Sequence, residues 1–261
     1  MPQRGAISKS LRPLVMENQK KTSRFRVLPI LLVLTFLLIP LTSCGNEGLP
    51  TPAPTRAPTP KLILGDSANK MMALQSLSFT LTHEKGETPL MTGVVMNELE
   101  GQVNLPNQFI VSVKAKATAF NAFIRIDVVA INRKIYMTDP LSGKWQEISL
   151  TVLPFNFNGL GVTLADIMIT MDNPTLAGGE TINGQRTIKI QDTITSNALK
   201  ALIPQAAQNL DVSLDLWLEE ESLFLVKARI AGQVVDSDPP DVVRILTFKA
   251  FNDPVNIKPP I

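Results

Sequence analysis

The sequence predicts an α+β domain built on one long antiparallel sheet, dry on one face and wet on the other, with only a few helices. Three observations predict it. Residues 108–117, 120–131 and 212–219 alternate apolar and polar side chains with a period of two, as half-buried strands do. Short turns at Asn132-Arg133, Asp139-Pro140-Leu141-Ser142-Gly143 and Asn183-Gly184 join neighbouring runs as hairpins, which makes a meander. Only three stretches carry apolar residues at helical spacing.

In chain order, Leu62 to Leu77 is the first helical stripe, with Ile63, Ala68, Met71 and Leu74 on it. Phe79, Leu81 and His83 then alternate with Thr80 and Thr82, Glu84 to Glu87 turns around Gly86, and a strand over 92–100 follows. In 108–117, Phe109, Val111, Val113 and Ala115 share a face opposite Ser112, Lys114 and Lys116; in 120–131, Phe120, Ile124, Ile126 and Val128 oppose Asn121, Arg125 and Asp127. Strands over 134–137 and 144–148 continue the meander. Thr163 to Met171 is a second helix, with Leu164, Ile167, Met168 and Met171 on one side, Thr163 as N-cap, and Asn173-Pro174 ending it. The hairpin 180–182/185–191 precedes a third helix, Ser196 to Asn209, capped by Ser196, bent at Pro204 and apolar at Leu199, Leu202, Ile203 and Ala206. Strands over 212–219, 223–230 and 242–251 complete the chain.

The N-terminal region has a different composition. Residues 1–26 hold seven basic residues and one acid, Glu17; Val27 to Leu41 is an apolar run of 15 residues interrupted by Pro29, Thr35 and Pro40. A spanning helix needs about 20 apolar residues, so this pattern reads as a signal peptide. It ends at Leu41-Thr42-Ser43-Cys44, and Cys44 is the chain's one cysteine, which excludes an internal disulfide. Leu-Thr-Ser-Cys resembles the lipobox of bacterial lipoproteins, which implies cleavage after residue 43 and a diacylglycerol on the Cys44 thiol. Residues 45–60 have proline at nearly every second position and form an extended tether, reaching up to about 50 Å. The organisation expected is therefore a leader 1–43, a lipidated cysteine and tether 44–60, and one domain over 61–261 anchored on the extracytoplasmic side of the cell membrane.

Charge and residue inventory narrow the function. The chain is +2 overall, but without residues 1–43 it has 18 basic and 22 acidic residues, so the basicity belongs to the leader. That balance gives no footprint for nucleic acid. His83 is the sole histidine, and no Gly-x-Ser-x-Gly elbow accompanies it, so neither Ser-His-Asp chemistry nor a zinc site is expected, and no enzyme activity or cofactor. Glu219-Glu220-Glu221 and Asp236-Ser237-Asp238 sit at turns and read as solvated charge. Trp145 and Trp217 fall on the outer face of their strands.

An ordered series of segments then carries a resemblance: Ala73-Leu74-Gln75-Ser76-Leu77-Ser78-Phe79-Thr80, Lys134-Ile135-Tyr136, Gly143-Lys144-Trp145, Asn173-Pro174, Gly179-Glu180-Thr181-Ile182-Asn183-Gly184, Leu216-Trp217-Leu218 and Asn252-Asp253-Pro254-Val255-Asn256-Ile257. Over residues 67–260 the chain resembles the LppX/LprA/LprF/LprG family of mycobacterial lipoproteins. The resemblance implies a strongly curved antiparallel sheet, a half-barrel, with helices over its concave face, LolA/LolB-like in fold, and an apolar cavity that takes the acyl chains of lipids or glycolipids on their way through the envelope, with a membrane transporter as a further partner. Leu153 to Gly161 departs from the family's pattern, where a cavity mouth or lid belongs.

A carrier of acyl chains must offset about 0.8 kcal/mol per methylene exposed to water, which asks for an apolar wall and few directed polar contacts. The candidate wall is Phe109, Val111, Val113, Phe120, Ile124, Ile126, Val128, Ile167, Met171, Leu199, Leu202 and Ile203, with Met168 and Met171 suited to variable chains. The pattern leaves open the alternative that this face is a packed core and the protein an anchored scaffold or envelope sensor.

Overall fold

The computed structural model describes residues 57–261, so the signal-like segment, Cys44 and the tether as far as residue 56 lie outside the described residues. The described chain opens with α1 (Pro60–Met72), whose N-cap Thr59 accepts a hydrogen bond from the Leu62 amide at 3.3 Å, with Pro60 in the first turn, where its missing N–H leaves no intrahelical bond unmade. Both residues had read as tether. The helix buries Ile63, Leu64, Ala68 and Met71 and stops before Leu74, because Ser76 already begins a strand.

Thirteen strands follow among the described residues: β1 (Ser76–Lys85), β2 (Thr88–Met91), β3 (Val94–Asn104), β4 (Gln108–Ala117), β5 (Ala122–Ile131), β6 (Lys134–Thr138), β7 (Trp145–Ile148), β8 (Thr175–Leu176), β9 (Thr181–Ile182), β10 (Gln185–Thr195), β11 (Asp211–Glu219), β12 (Leu225–Ala231) and β13 (Val243–Lys249). Their spatial order is β7-β6-β5-β4-β3-β1-β13-β12-β11-β10-β8, with β2 beside β3 and β9 beside β10. The sheet is thus two antiparallel meanders joined where β1 pairs with β13, Phe79 opposite Phe248 and Leu81 opposite Leu246. It is curved and does not close.

One face is dry. It carries Leu77, Phe79 and Leu81 of β1, Leu99 and Val103 of β3, Phe109, Val111 and Val113 of β4, Ile126 and Val128 of β5, Leu214 and Leu216 of β11, and Leu246 and Phe248 of β13, all buried in one core. The second helix, α2 (Leu160–Ile169), packs with α1 on this face and contributes Leu160, Leu164, Ile167 and Met168. Its cap is Gly159, at φ +63°, rather than Thr163, which is buried one turn inside. Gly161 lets the two helices approach: a Cβ there would lie 2.4 Å from the Met71 carbonyl oxygen.

The third expected helix is a correction. Only a 3-10 turn, Ser196–Leu199, forms, and the chain runs on in turns. The Ser196 hydroxyl donates to the Ala207 carbonyl at 2.7 Å and accepts from the Leu210 amide at 3.1 Å, tying the segment into a closed loop instead of capping a helix. Leu199, Leu202, Ile203 and Ala206 still reach the core.

The convex face carries the polar residues of the alternation. Trp217 is nonetheless buried there, between the ammonium groups of Lys227, 4.3 Å from its ring centroid, and Lys189, 4.8 Å away. Val129, Ile131 and Tyr136 form a small second cluster under the C-terminal residues Val255 and Ile257, with Trp145 against it.

Candidate functional site

The site is the concave face and the loop that crosses it. The loop leaves β7 through a 3-10 turn, Leu150–Val152, capped by the Ser149 hydroxyl. Asn156 then holds it down, its amide donating to the Leu202 carbonyl at 2.8 Å and its side-chain nitrogen to that of Ala201 at 3.3 Å, and the Gly159 amide donates to the Pro106 carbonyl at 2.7 Å. So pinned, the loop delivers Phe155 and Phe157 to the dry face. The Phe157 ring lies 5.2 Å from Phe79, 5.3 Å from Phe109 and 6.1 Å from Phe155, centroid to centroid.

Three cavities meet at these rings. An outer one of about 430 Å³ opens between β2, the loop and residues 234–238, with Thr88, Thr92, Gln205, Ser237, Asp238 and Arg244 as polar walls. Behind it are an apolar pocket of about 80 Å³ against Val111, Val113, Ile126 and Val128, and another of about 30 Å³ against Leu81, Leu202, Ile203 and Leu246. Phe155 walls all three, and Phe157 walls both inner ones. The interior behind the loop is therefore mostly filled, well below the 300–1,000 Å³ of an ordinary ligand pocket, whereas the outer cavity is within that range.

Of the candidate wall residues, Phe109, Val111, Val113, Ile126 and Val128 line the larger inner pocket, Leu202 the smaller, and Ile203 the smaller and the outer cavity. Ile167, Met171 and Leu199 are buried core that borders none of the three, and Ile124 is half-buried against that core. Phe120 is a correction: it is 86% exposed in the turn between β4 and β5, because the strand begins only at Ala122 and the alternation loses its meaning beyond the last ladder pair, Ala117 with Ala122. Neither tryptophan borders these cavities.

A polar cluster closes one end of the dry face. Arg244 lies on the same side of β13 as Leu246 and Phe248, opposite His83 of β1 and Ile230 of β12. Its Nε donates to the Thr88 hydroxyl at 2.7 Å and its Nη2 to Asp238 Oδ1. Asp238 Oδ2 accepts from the Val234 and Val235 amides at 2.9 and 3.1 Å. Asp238, expected as solvated turn charge, is instead fully buried in this ion pair, because the turn folds its carboxylate inward over its own backbone amides. His83 completes the cluster, Nε2 2.7 Å from the Thr88 hydroxyl and Nδ1 3.1 Å from the Asn97 carbonyl. The carbonyl only accepts, so Nδ1 carries a proton; Thr88 accepts from Arg244 Nε and keeps its own proton free to donate to Nε2. That chain of bonds accommodates neutral His83. Burial, aided by the Arg244 charge and opposed by the Asn97 hydrogen bond, lowers its pKa from the ordinary value.

Sequence reasoning missed Arg244, and it placed the segment 153–161 at a cavity mouth or lid without assigning Phe155 and Phe157 to the wall. The two phenylalanines sit in a loop without periodicity, but Arg244 had a signal: it shares the parity of Leu246 and Phe248.

An open, curved antiparallel sheet with two helices and a phenylalanine-bearing loop on its dry face defines the class, a one-sheet half-barrel domain. Within that class the chain belongs to the LppX_LprAFG lipoprotein family, whose sequence profile matches residues 59–257. Its relatives include LprF of Mycobacterium bovis and of Mycobacterium tuberculosis, named as a candidate diacylated glycolipid transporter, 22% identical over 255 residues that cover 92% of this chain and 94% of theirs. The crystal structure of LprF from Mycobacterium bovis superposes with a TM-score of 0.61 at 18% identity, over 78% of this chain and 98% of that one. That of the Mycobacterium tuberculosis lipoprotein LppX gives 0.52 at 18% identity, over 76% and 98%. Among the described residues no helix is long and apolar enough to cross a membrane.

Proposed function

We propose that the protein is an extracytoplasmic lipoprotein, anchored through Cys44 after removal of residues 1–43, that takes acyl chains of a lipid or glycolipid against the dry face of its sheet and helps carry them through the cell envelope, passing them to or from a membrane transporter. The observation that carries this reading is the position of Phe155: one side chain separates an outer cavity with polar walls from two apolar pockets. That order, polar then apolar, is the order of headgroup and tail. Loading requires Phe155 and Phe157 to swing aside, Phe157 exchanging its contacts with Phe79 and Phe109 for contacts with the chain. Each methylene moved from water to this wall gains about 0.8 kcal/mol, so a long chain offsets the displacement. The relatives named as glycolipid transporters support the same reading.

The test is lipid mass spectrometry on the full chain purified from its native membrane, beside the Ile126→Trp variant and an unrelated lipoprotein. The expected result is stoichiometric acyl lipid with the wild type that Ile126→Trp, a folded protein with a filled pocket, does not retain. Lipid no higher than in the unrelated lipoprotein would favour the packed scaffold, to which the small inner pockets lend weight. For the anchor, labelled palmitate is expected to enter the wild type and not Cys44→Ser.

A further inference from the structure

Arg244 is 3% exposed, and its guanidinium is not fully satisfied. Five N–H groups radiate from a planar fork. Nε and Nη2 are taken by Thr88 and Asp238, but among the described residues Nη1 has no hydrogen-bond partner although it is buried. Leaving a buried charged donor unpaired forfeits its hydration without return. The residue's position is equally specific. Arg244 walls both the 430 Å³ outer cavity and the smaller apolar pocket, so it stands where polar surroundings give way to apolar ones.

The charge around it defines what Nη1 lacks. Asp238 balances Arg244, and burial beside that guanidinium favours the uncharged form of His83. A phosphate or carboxylate placed on Nη1 would bring an unbalanced negative charge into a buried site. The missing partner is an uncharged acceptor oxygen. In an acyl lipid, one group between headgroup and chain is acceptor-only and uncharged: the ester carbonyl. Resting on the carrier reading above, the geometry points to Arg244 Nη1 as the donor to an ester carbonyl oxygen of the bound lipid, with the headgroup in the outer cavity and the chain running past Phe155 toward Leu81 and Leu246. Arg244 is then a specificity residue, reading how the chain is linked rather than how long it is.

The experiment compares two tritiated probes on the full chain held on a resin in dodecyl maltoside: dipalmitoyl glucosylglycerol and its dihexadecyl ether twin, which keeps sugar and chains but lacks both carbonyls. The wild type is expected to hold the ester about tenfold more tightly, as loss of a hydrogen bond to a charged group implies. The double variant Arg244→Met/Asp238→Asn, which removes both charges together, is expected to abolish that preference while still binding the ether. Equal affinity of the wild type for both probes would overturn the Arg244 assignment and leave the carrier reading standing. Binding of neither would overturn the carrier reading and the assignment with it. The wild-type comparison needs no variant, so a double variant that failed to fold would not rescue the idea.

Discussion

The ring of Phe157 rests on that of Phe79, centroids 5.2 Å apart, and so fastens the loop after β7 to the strand that joins the two halves of the sheet. Loop and sheet are held mainly by aromatic packing at this point, which makes the contact both a source of stability and the part that gives way in the loading proposed above.

Phe157→Ala removes that contact and part of the wall shared by the two inner pockets. The expected cost is about 3–5 kcal/mol, the usual range for deleting a buried phenylalanine, read as a lower denaturation midpoint. The enlarged space is expected to take up an apolar fluorophore more strongly than the wild type. A stability loss without extra dye binding would mean that the loop collapses into the gap.

The Thr88 hydroxyl links His83 to Arg244. Thr88→Val keeps the shape and removes the link, leaving the buried Arg244 Nε and the half-buried His83 Nε2 without partners. A loss of about 1–3 kcal/mol is expected in urea unfolding, with Thr88→Ser much closer to wild type. Equal behaviour of Val and Ser at this position would show that the hydroxyl carries no weight.

Stability should fall in mild acid through His83. Its pKa is lowered in the folded protein, so as pH drops through the ordinary value of about 6.5 the unfolded chain takes up the proton first and is favoured. The decline ends below the folded pKa. A melting temperature lower at pH 5.5 than at pH 7.5 is expected, with the difference reduced in His83→Gln. The carboxylates with lowered pKa, Glu84, Glu98, Asp139 and Asp241, are exposed or, for Glu98 and Asp139, half-buried, and act at lower pH, outside this window.

Gly101 on β3 lies opposite Phe79, and a Cβ built there would stand 2.5 Å from the ring's Cζ and 3.1 Å from Val111 Cγ2. Gly101→Ala therefore overpacks the sheet, at an expected cost of about 1–3 kcal/mol. Combining it with Phe79→Leu should recover part of that cost, and a double-mutant cycle on denaturation midpoints measures the coupling. Simple additivity would place the strain elsewhere.

Legibility in the sequence followed periodicity. β4 was readable to its ends, because ten residues alternate without a break and the ladder to β5 spans all of them. β2 was missed: it is four residues long, contains Pro89, and pairs only with β3, so it lacks the pattern of a two-sided strand. The third helix was overestimated because Leu199, Leu202, Ile203 and Ala206 have helical spacing, yet a tight turn brings the same four residues inward. At the site, the wall strands were legible and the residues that shape the space were not. Phe155 and Phe157 act through a loop whose course is set by distant carbonyls of Leu202 and Pro106, which no local pattern announces.

The pairing of β1 with β13 also sets an order of events. Hairpins such as β4/β5 and β10/β11 close over short stretches of chain, but Thr80 meets Thr247 across 167 residues. Local contacts form early and distant ones late, so each meander is able to assemble while β1 still offers a bare edge. Until β13 arrives, that edge and the greasy side of both halves are open to wrong partners, the situation in which β-rich chains aggregate. Under the export proposed above, a chain threaded through a membrane from its N-terminus would deliver β1 first and β13 last, and the protein would spend its most vulnerable interval waiting for its own end.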